Sequence, residues 1–151
     1  MTRLVILVVL GIAIVSTLCE AKSERIHVTA RVVQQIFTGD LTNPRLGDRL
    51  INNVELLDES GTKVGTGGAA CTIVSEPPLD TLEQCLLTAV FAEGHIIFGG
   101  LASLPEVGAV ARFGILGGTD DFRKARGDAI LVVTTNGTID VTFELDQPIW
   151  P

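Results

Sequence analysis

Few side chains in this sequence combine chemical capability with an apolar setting. Asn52 shares a strand face with Leu50, Val54 and Leu56, so its amide is placed to orient a ligand oxygen or to bond neighbouring backbone. Arg112 interrupts the apolar run "VARFGIL", where a guanidinium needs an anion, either a carboxylate across an outer wall or a bound ligand. Gln34 falls on the apolar face of the first strand, near the strand's end and within reach of water. Asp120 and Asp121 open a charged segment, "GGTDDFRKARG", that ends in Arg126 and Gly127. Cys71 and Cys85 form an even pair once Cys19 is set aside, and they read as a disulfide or as two buried thiols. A bridge over that loop stabilises a fold by roughly 3 kcal/mol in the chain-entropy view. No metal centre is expected: there is no C-x-x-C, and His27 and His95 lie far apart without a carboxylate at ligand spacing.

Strands must position these groups, because period-two alternation recurs along the chain and helical periodicity is nearly absent. Strands are expected over about 26–36, 50–56, 62–75, 83–92, 95–101, 109–116, 128–135 and 138–145. In the first, Ile26, Val28, Ala30, Val32 and Ile36 share one face; in the last, Ile139, Val141, Phe143 and Leu145 do. "DESG" at 58–61 and Asn136-Gly137 are turn signals. "NGT" at Asn136 is also a glycosylation sequon. The segment 117–127 reads as one turn of helix, with Thr119 as its cap, the aspartates at its start, and Phe122 and Ala125 free to plug a barrel end. Eight short strands joined in order close most simply into an all-β, eight-stranded antiparallel barrel, with a two-sheet sandwich as the alternative. Glycines and alanines in strands three, five and six leave interior volume for a small ligand, and Phe113 lines it from strand six.

The first 21 residues have the layout of a secretory signal peptide: Arg3, an apolar run from Leu4 to Val15, and small Cys19 and Ala21 before the cleavage point. An uncleaved anchor is the alternative, although the run is shorter than a spanning helix needs. The mature domain is set at 22–151, and export makes it extracellular. Removal takes one base and one acid, so the charge of −7 is kept, which argues against nucleic acid or an anionic membrane as partner.

"FGILGGTDDFRKARGDAIL" resembles the "VVGGTGxFRxARGxAxL" signature of dirigent proteins and their relatives in the allene oxide cyclase barrel superfamily. "LGDRLINNVELLDESGTKVGTGGAACT" and "CLLTAVFAEGHIIFGG" resemble two further signatures of that superfamily, in the same order. The resemblance spans 27–145 and implies an eight-stranded barrel with a hydrophobic cavity, often a homodimer or homotrimer. It also implies that a reactive small molecule is folded into one shape before it cyclises or couples, without metal or organic cofactor, by preorganisation between apolar walls. Allene oxide cyclisation, radical or quinone methide coupling, and [4+2] cyclisation are the reactions of the relatives.

The sequence departs from the allene oxide cyclases at their polar positions. Their first-strand glutamate and asparagine fall on Ala30 and Val32, a second-strand asparagine falls on Val54, and their cavity tyrosine has no counterpart because the chain has no Tyr. That activity is therefore not expected. Asp121 matches an aspartate that some dirigent proteins carry, implying acid or base assistance, and Arg126 matches the signature arginine, for which an ion pair with Asp121 or Asp128 is the structural alternative. The catalytic candidates are Asn52, Arg112 and Asp121, and the ligand-binding candidates Ala30, Val32, Gln34, Val54, Phe113 and Arg126. The function expected is stereoselective steering of a small hydrophobic intermediate. The rivals are a non-catalytic carrier or defence-associated protein and, with only Trp150 available for stacking, a glycan-binding module.

Overall fold

The structure, a computed structural model, describes residues 24–40, 42–77 and 79–146. The expected signal segment, Cys19 and Trp150 lie outside the described residues. Eight strands follow in chain order: β1 Glu24–Phe37, β2 Arg49–Leu57, β3 Lys63–Ser75, β4 Leu82–Phe91, β5 Gly94–Ser103, β6 Val110–Gly118, β7 Gly127–Val133 and β8 Ile139–Leu145. Each pairs antiparallel with the next, and β8 pairs with β1, so the sheet closes into a barrel and no edge is left open. The sandwich alternative is thereby excluded.

Alternation decides which side chains enter the barrel. Val28 and Ala30 of β1, Leu56 of β2, Cys71 and Ile73 of β3, Ile96 and Phe98 of β5, and Phe113 and Ile115 of β6 are buried inward. One expectation fails in β1. A bulge between Val32 and Gln34 inserts Val33, and the extra residue reverses the inside–outside order beyond it. Ile36, expected inside, is therefore half exposed on the wall, and Phe37 takes the inner position and packs against the core.

The two ends of the barrel are built differently. Odd-numbered strands run toward the β1–β2 connection and even-numbered strands away from it, so the β1–β2, β3–β4, β5–β6 and β7–β8 connections gather at one end. The opposite end is filled. Phe91 lies 5.8 Å from Phe122 and 6.3 Å from Phe143, and Phe143 lies 5.2 Å from Phe98, ring centre to ring centre. These tilted and edge-on contacts are the arrangements aromatic quadrupoles favour.

Phe122 reaches that end from a single 3₁₀ turn, Asp120–Phe122, as the sequence leads one to expect. The expected Thr119 cap does not form. Its hydroxyl instead accepts from the His95 amide at 3.1 Å and donates to Asp120 at 3.0 Å, which ties the turn to the start of β5. Gly127 ends the segment at φ +127°, and a Cβ there would stand 2.0 Å from the Glu144 carbonyl oxygen. Only glycine satisfies both the backbone angle and the approach of β8.

Candidate functional site

The open end leads into an apolar cavity in two adjoining parts that share a wall of five residues. The upper part, about 150 Å³, is walled by Leu50, Leu87, Ala102, Ala111, Phe113 and Leu131, with Pro105 and Ala109 at the rim. The lower part, about 60 Å³, lies between Ala30, Val54, Ala89, Phe98, Val141 and Phe143, above the aromatic floor. Asn52, Ala69, Leu87, Leu131 and Ile139 border both, so they form the throat. Small residues do two jobs here. Ala69 and Ala102 leave space, whereas Gly67 also lets β4 approach, since a Cβ there would meet the Thr88 carbonyl oxygen at 2.9 Å.

Besides Ser103 and Thr88, two polar side chains with buried, unpartnered oxygens break this surface. Asn52 points inward from β2, and its Oδ1 is buried without a hydrogen-bond partner among the described residues. Glu83, near the start of β4, is only 5 % exposed, and its Oε2 is likewise buried and unpartnered. Burial in apolar surroundings disfavours the charged form and pushes the Glu83 carboxyl up to about 7. Among the described residues no cation pairs with it: its neighbours across the sheet are Ile73 on β3 and Ala102 on β5, and it is the one ionisable side chain among the upper cavity's lining residues.

Beside Glu83, Cys71 and Cys85 face each other across β3 and β4 and are joined as a disulfide, with Cα atoms 4.0 Å apart. The ligand-type atoms of Cys71, Glu83 and Cys85 lie within 4.8 Å of one another, the one such group among the described residues. With both sulfurs bonded to each other, the group offers no thiolate to a metal. Glu83 remains as its sole carboxylate.

The residues singled out from sequence separate into cavity and exterior. Asn52 is at the throat, Ala30 and Val54 line the lower part, and Phe113 the upper. Val32 shares their inward side of β1, one pair of residues above Ala30.

Gln34 is outside. The bulge turns it outward, where it accepts a hydrogen bond from Asn53 Nδ2 at 3.1 Å, so it is not part of the cavity. Arg112 is outside too, with 58 % of its side chain exposed. Its Nη1 pairs with Asp128 at 2.7 Å and lies 3.8 Å from Glu144, which resolves its apolar neighbourhood as the outer wall between β6, β7 and β8.

Asp121 sits at the filled end. Its backbone amide donates to the Glu93 carbonyl at 3.2 Å, and the aromatic floor separates it from the cavity. Arg126 is at that end as well, donating to its neighbour's carbonyl, Ala125 O, at 2.6 Å. It makes neither expected ion pair among the described residues, because Asp128 is taken by Arg112. Asn136 is exposed in the β7–β8 turn, where its Oδ1 accepts from the Thr138 hydroxyl at 2.8 Å.

Glu83 was the residue not singled out. The signal was present: Glu83 precedes Cys85, Leu87 and Ala89 by two, four and six residues, on the inward side of an alternating strand. It stands as the first residue of the expected strand 83–92, beside a loop, where a glutamate ordinarily reaches water.

A closed eight-stranded barrel, open at one end and apolar within, matches one family along nearly all of its length. Residues 26–145 match the model of the allene oxide cyclase barrel like domain. The chain belongs to that family. Solved structures share the fold at low identity. A pyocyanin demethylase superposes with a TM-score of 0.70 at 21% identity, over 81% of this chain and 99% of that one. AbnU, described as an exo-specific intermolecular Diels-Alderase, gives 0.69 at 16% identity, over 82% and 97%. The Diels Alderase AbmU from Streptomyces koyangensis gives 0.65 at 19%, over 80% of this chain and 64% of that one. No curated protein sequence matches.

Proposed function

We propose that this allene oxide cyclase-like barrel binds a small, mostly hydrophobic reactive molecule and steers its stereoselective ring closure or coupling inside the cavity. The observation that carries this reading is the two-part apolar cavity, sealed at one end by phenylalanines and open at the other, with Asn52 and Glu83 as its buried, unpartnered polar atoms. Such walls hold a flexible chain near its attack geometry and exclude water, and the two polar groups register it. That barrels of this fold include two Diels-Alderases and a demethylase supports small-molecule chemistry, and [4+2] cyclisation is one form it would take. The Cys71–Cys85 disulfide and the N-terminal apolar segment support action outside the reducing cytoplasm.

The test offers the mature chain three kinds of precursor: a tethered diene–dienophile, a phenoxy-radical precursor with an oxidant, and an unsaturated epoxide. Product chirality is then measured against the protein-free reaction. One enantiomer in excess is the expected outcome with at least one precursor; racemic product from all three, with no binding of any, sinks the proposal. A non-catalytic carrier is the second reading, favoured by Ala30 and Val54 standing in the cavity wall where the allene oxide cyclases have polar groups. Unchanged precursor recovered from a tight complex would select it.

A further inference from the structure

We propose that Glu83 and Asn52 are a two-point recognition device for an uncharged ligand that carries a hydrogen-bond-accepting oxygen near the mouth and a second polar atom deeper in the cavity. This rests on the cavity being the binding site, as proposed above. The spacing comes from the strand register. Asn52 lies in one row with Ala69 and Leu87 across β2, β3 and β4, and Glu83 is four residues from Leu87 toward the mouth. Four residues span roughly 13 Å along a strand, so the two groups stand at different depths, Glu83 toward the mouth and Asn52 where the upper part meets the lower.

The compartment sizes add shape. A cavity of the upper part's volume, 150 Å³, accepts a ring-sized group, whereas 60 Å³ in the lower part takes only a short apolar tail. The ligand class is thus a compact oxygenated ring, or a chain folding into one, with a small hydrocarbon end.

Charge also selects. The walls facing Glu83 from β3 (Cys71, Ile73) and β5 (Ala102) carry no titrating group, since Cys71 is held in the disulfide, and β4 itself adds only Cys85, the other half of that bridge. With its ionisation raised to about 7, Glu83 presents an O–H donor over the acidic range and a carboxylate above it. A carbonyl oxygen is welcomed by the former and repelled by the latter. A carboxylate ligand meets no compensating cation at either pH.

Three probes separate these contacts: hexylbenzene, hexanophenone and 6-hydroxyhexanophenone, titrated into the oxidised mature chain by ligand-observed NMR at pH 5.5 and 8.5. The carbonyl should improve affinity about three- to tenfold over hexylbenzene at pH 5.5, the range of one neutral hydrogen bond, and this advantage should fade at pH 8.5. In Glu83→Gln, whose amide donates at any pH, the advantage should persist at both; in Glu83→Leu it should vanish at both. The terminal hydroxyl should add a further gain that Asn52→Leu abolishes while the carbonyl preference stays. Equal affinity for hexylbenzene and hexanophenone at pH 5.5, or a carbonyl preference in wild type that ignores pH, overturns the inference while leaving the cavity as a binding site. Failure of all three probes to bind overturns both readings.

Discussion

Replacing Glu83 by glutamine should stabilise the barrel in neutral and alkaline solution and leave it almost unchanged in acid. The folded protein holds the Glu83 proton up to about pH 7, whereas the ordinary value is 4.5. The folded state therefore binds more protons than the unfolded state between those values, and stability falls as pH rises through that window. Below about 4.5 both states are protonated and there is no loss; above about 7 the loss is complete. Each tenfold change in proton affinity corresponds to about 1.4 kcal/mol, which sets a ceiling of about 3 kcal/mol. Water reaching the carboxylate through the open mouth reduces this to about 1–2 kcal/mol.

The glutamine side chain has nearly the same shape and no charge to desolvate, so Glu83→Gln escapes that cost. Thermal unfolding followed by circular dichroism at pH 4, 6 and 8, with the disulfide intact, reads the difference between variant and wild type at each pH. Other titrating groups then cancel. For a domain of this size, the variant should gain about 3–8 °C at pH 8, roughly half of that at pH 6, and close to nothing at pH 4. A difference that stays constant across the series, or a variant less stable than wild type at pH 8, refutes the assignment of Glu83 as a buried, unpaired acid.

Two further outcomes follow from the same geometry. Arg112→Ala should cost under about 1 kcal/mol and leave hexanophenone affinity unchanged, because the side chain pairs with Asp128 on the solvated wall; a tenfold loss of affinity on titration would place it in the site after all. Cys71→Ser with Cys85→Ser should lower stability by about 3 kcal/mol in urea unfolding, the loop-closure entropy of 14 residues, and an unchanged midpoint would show that the bridge adds nothing.

Much of the barrel was legible along the chain because strand identity and inside–outside order are local properties. Val141, Phe143 and Leu145 alternate with Asp140, Thr142 and Glu144 in the sequence and on the wall of β8 alike. The Asn136-Gly137 turn, the Phe122 plug and the closure of eight strands were readable for the same reason. The bulge at Val33 was not. Whether a strand inserts one residue depends on its partner's register, and that single insertion carried Gln34 out of the cavity and Phe37 in.

Site chemistry divides along the same line. Sequence alone placed Asn52 among inward residues by alternation and left Cys71 and Cys85 as an even pair, a disulfide or two buried thiols; the register of β3 on β4 decided for the bridge. Only the closed sheet decided that Arg112 meets Asp128 outdoors, that Asp121 and Arg126 lie behind the aromatic floor, and that Glu83 stands in the cavity with no cation beside it among the described residues. The physical reason is that a charge's role depends on its distance to partners and to water. Those distances are set by strands far apart in the chain, not by the residues on either side.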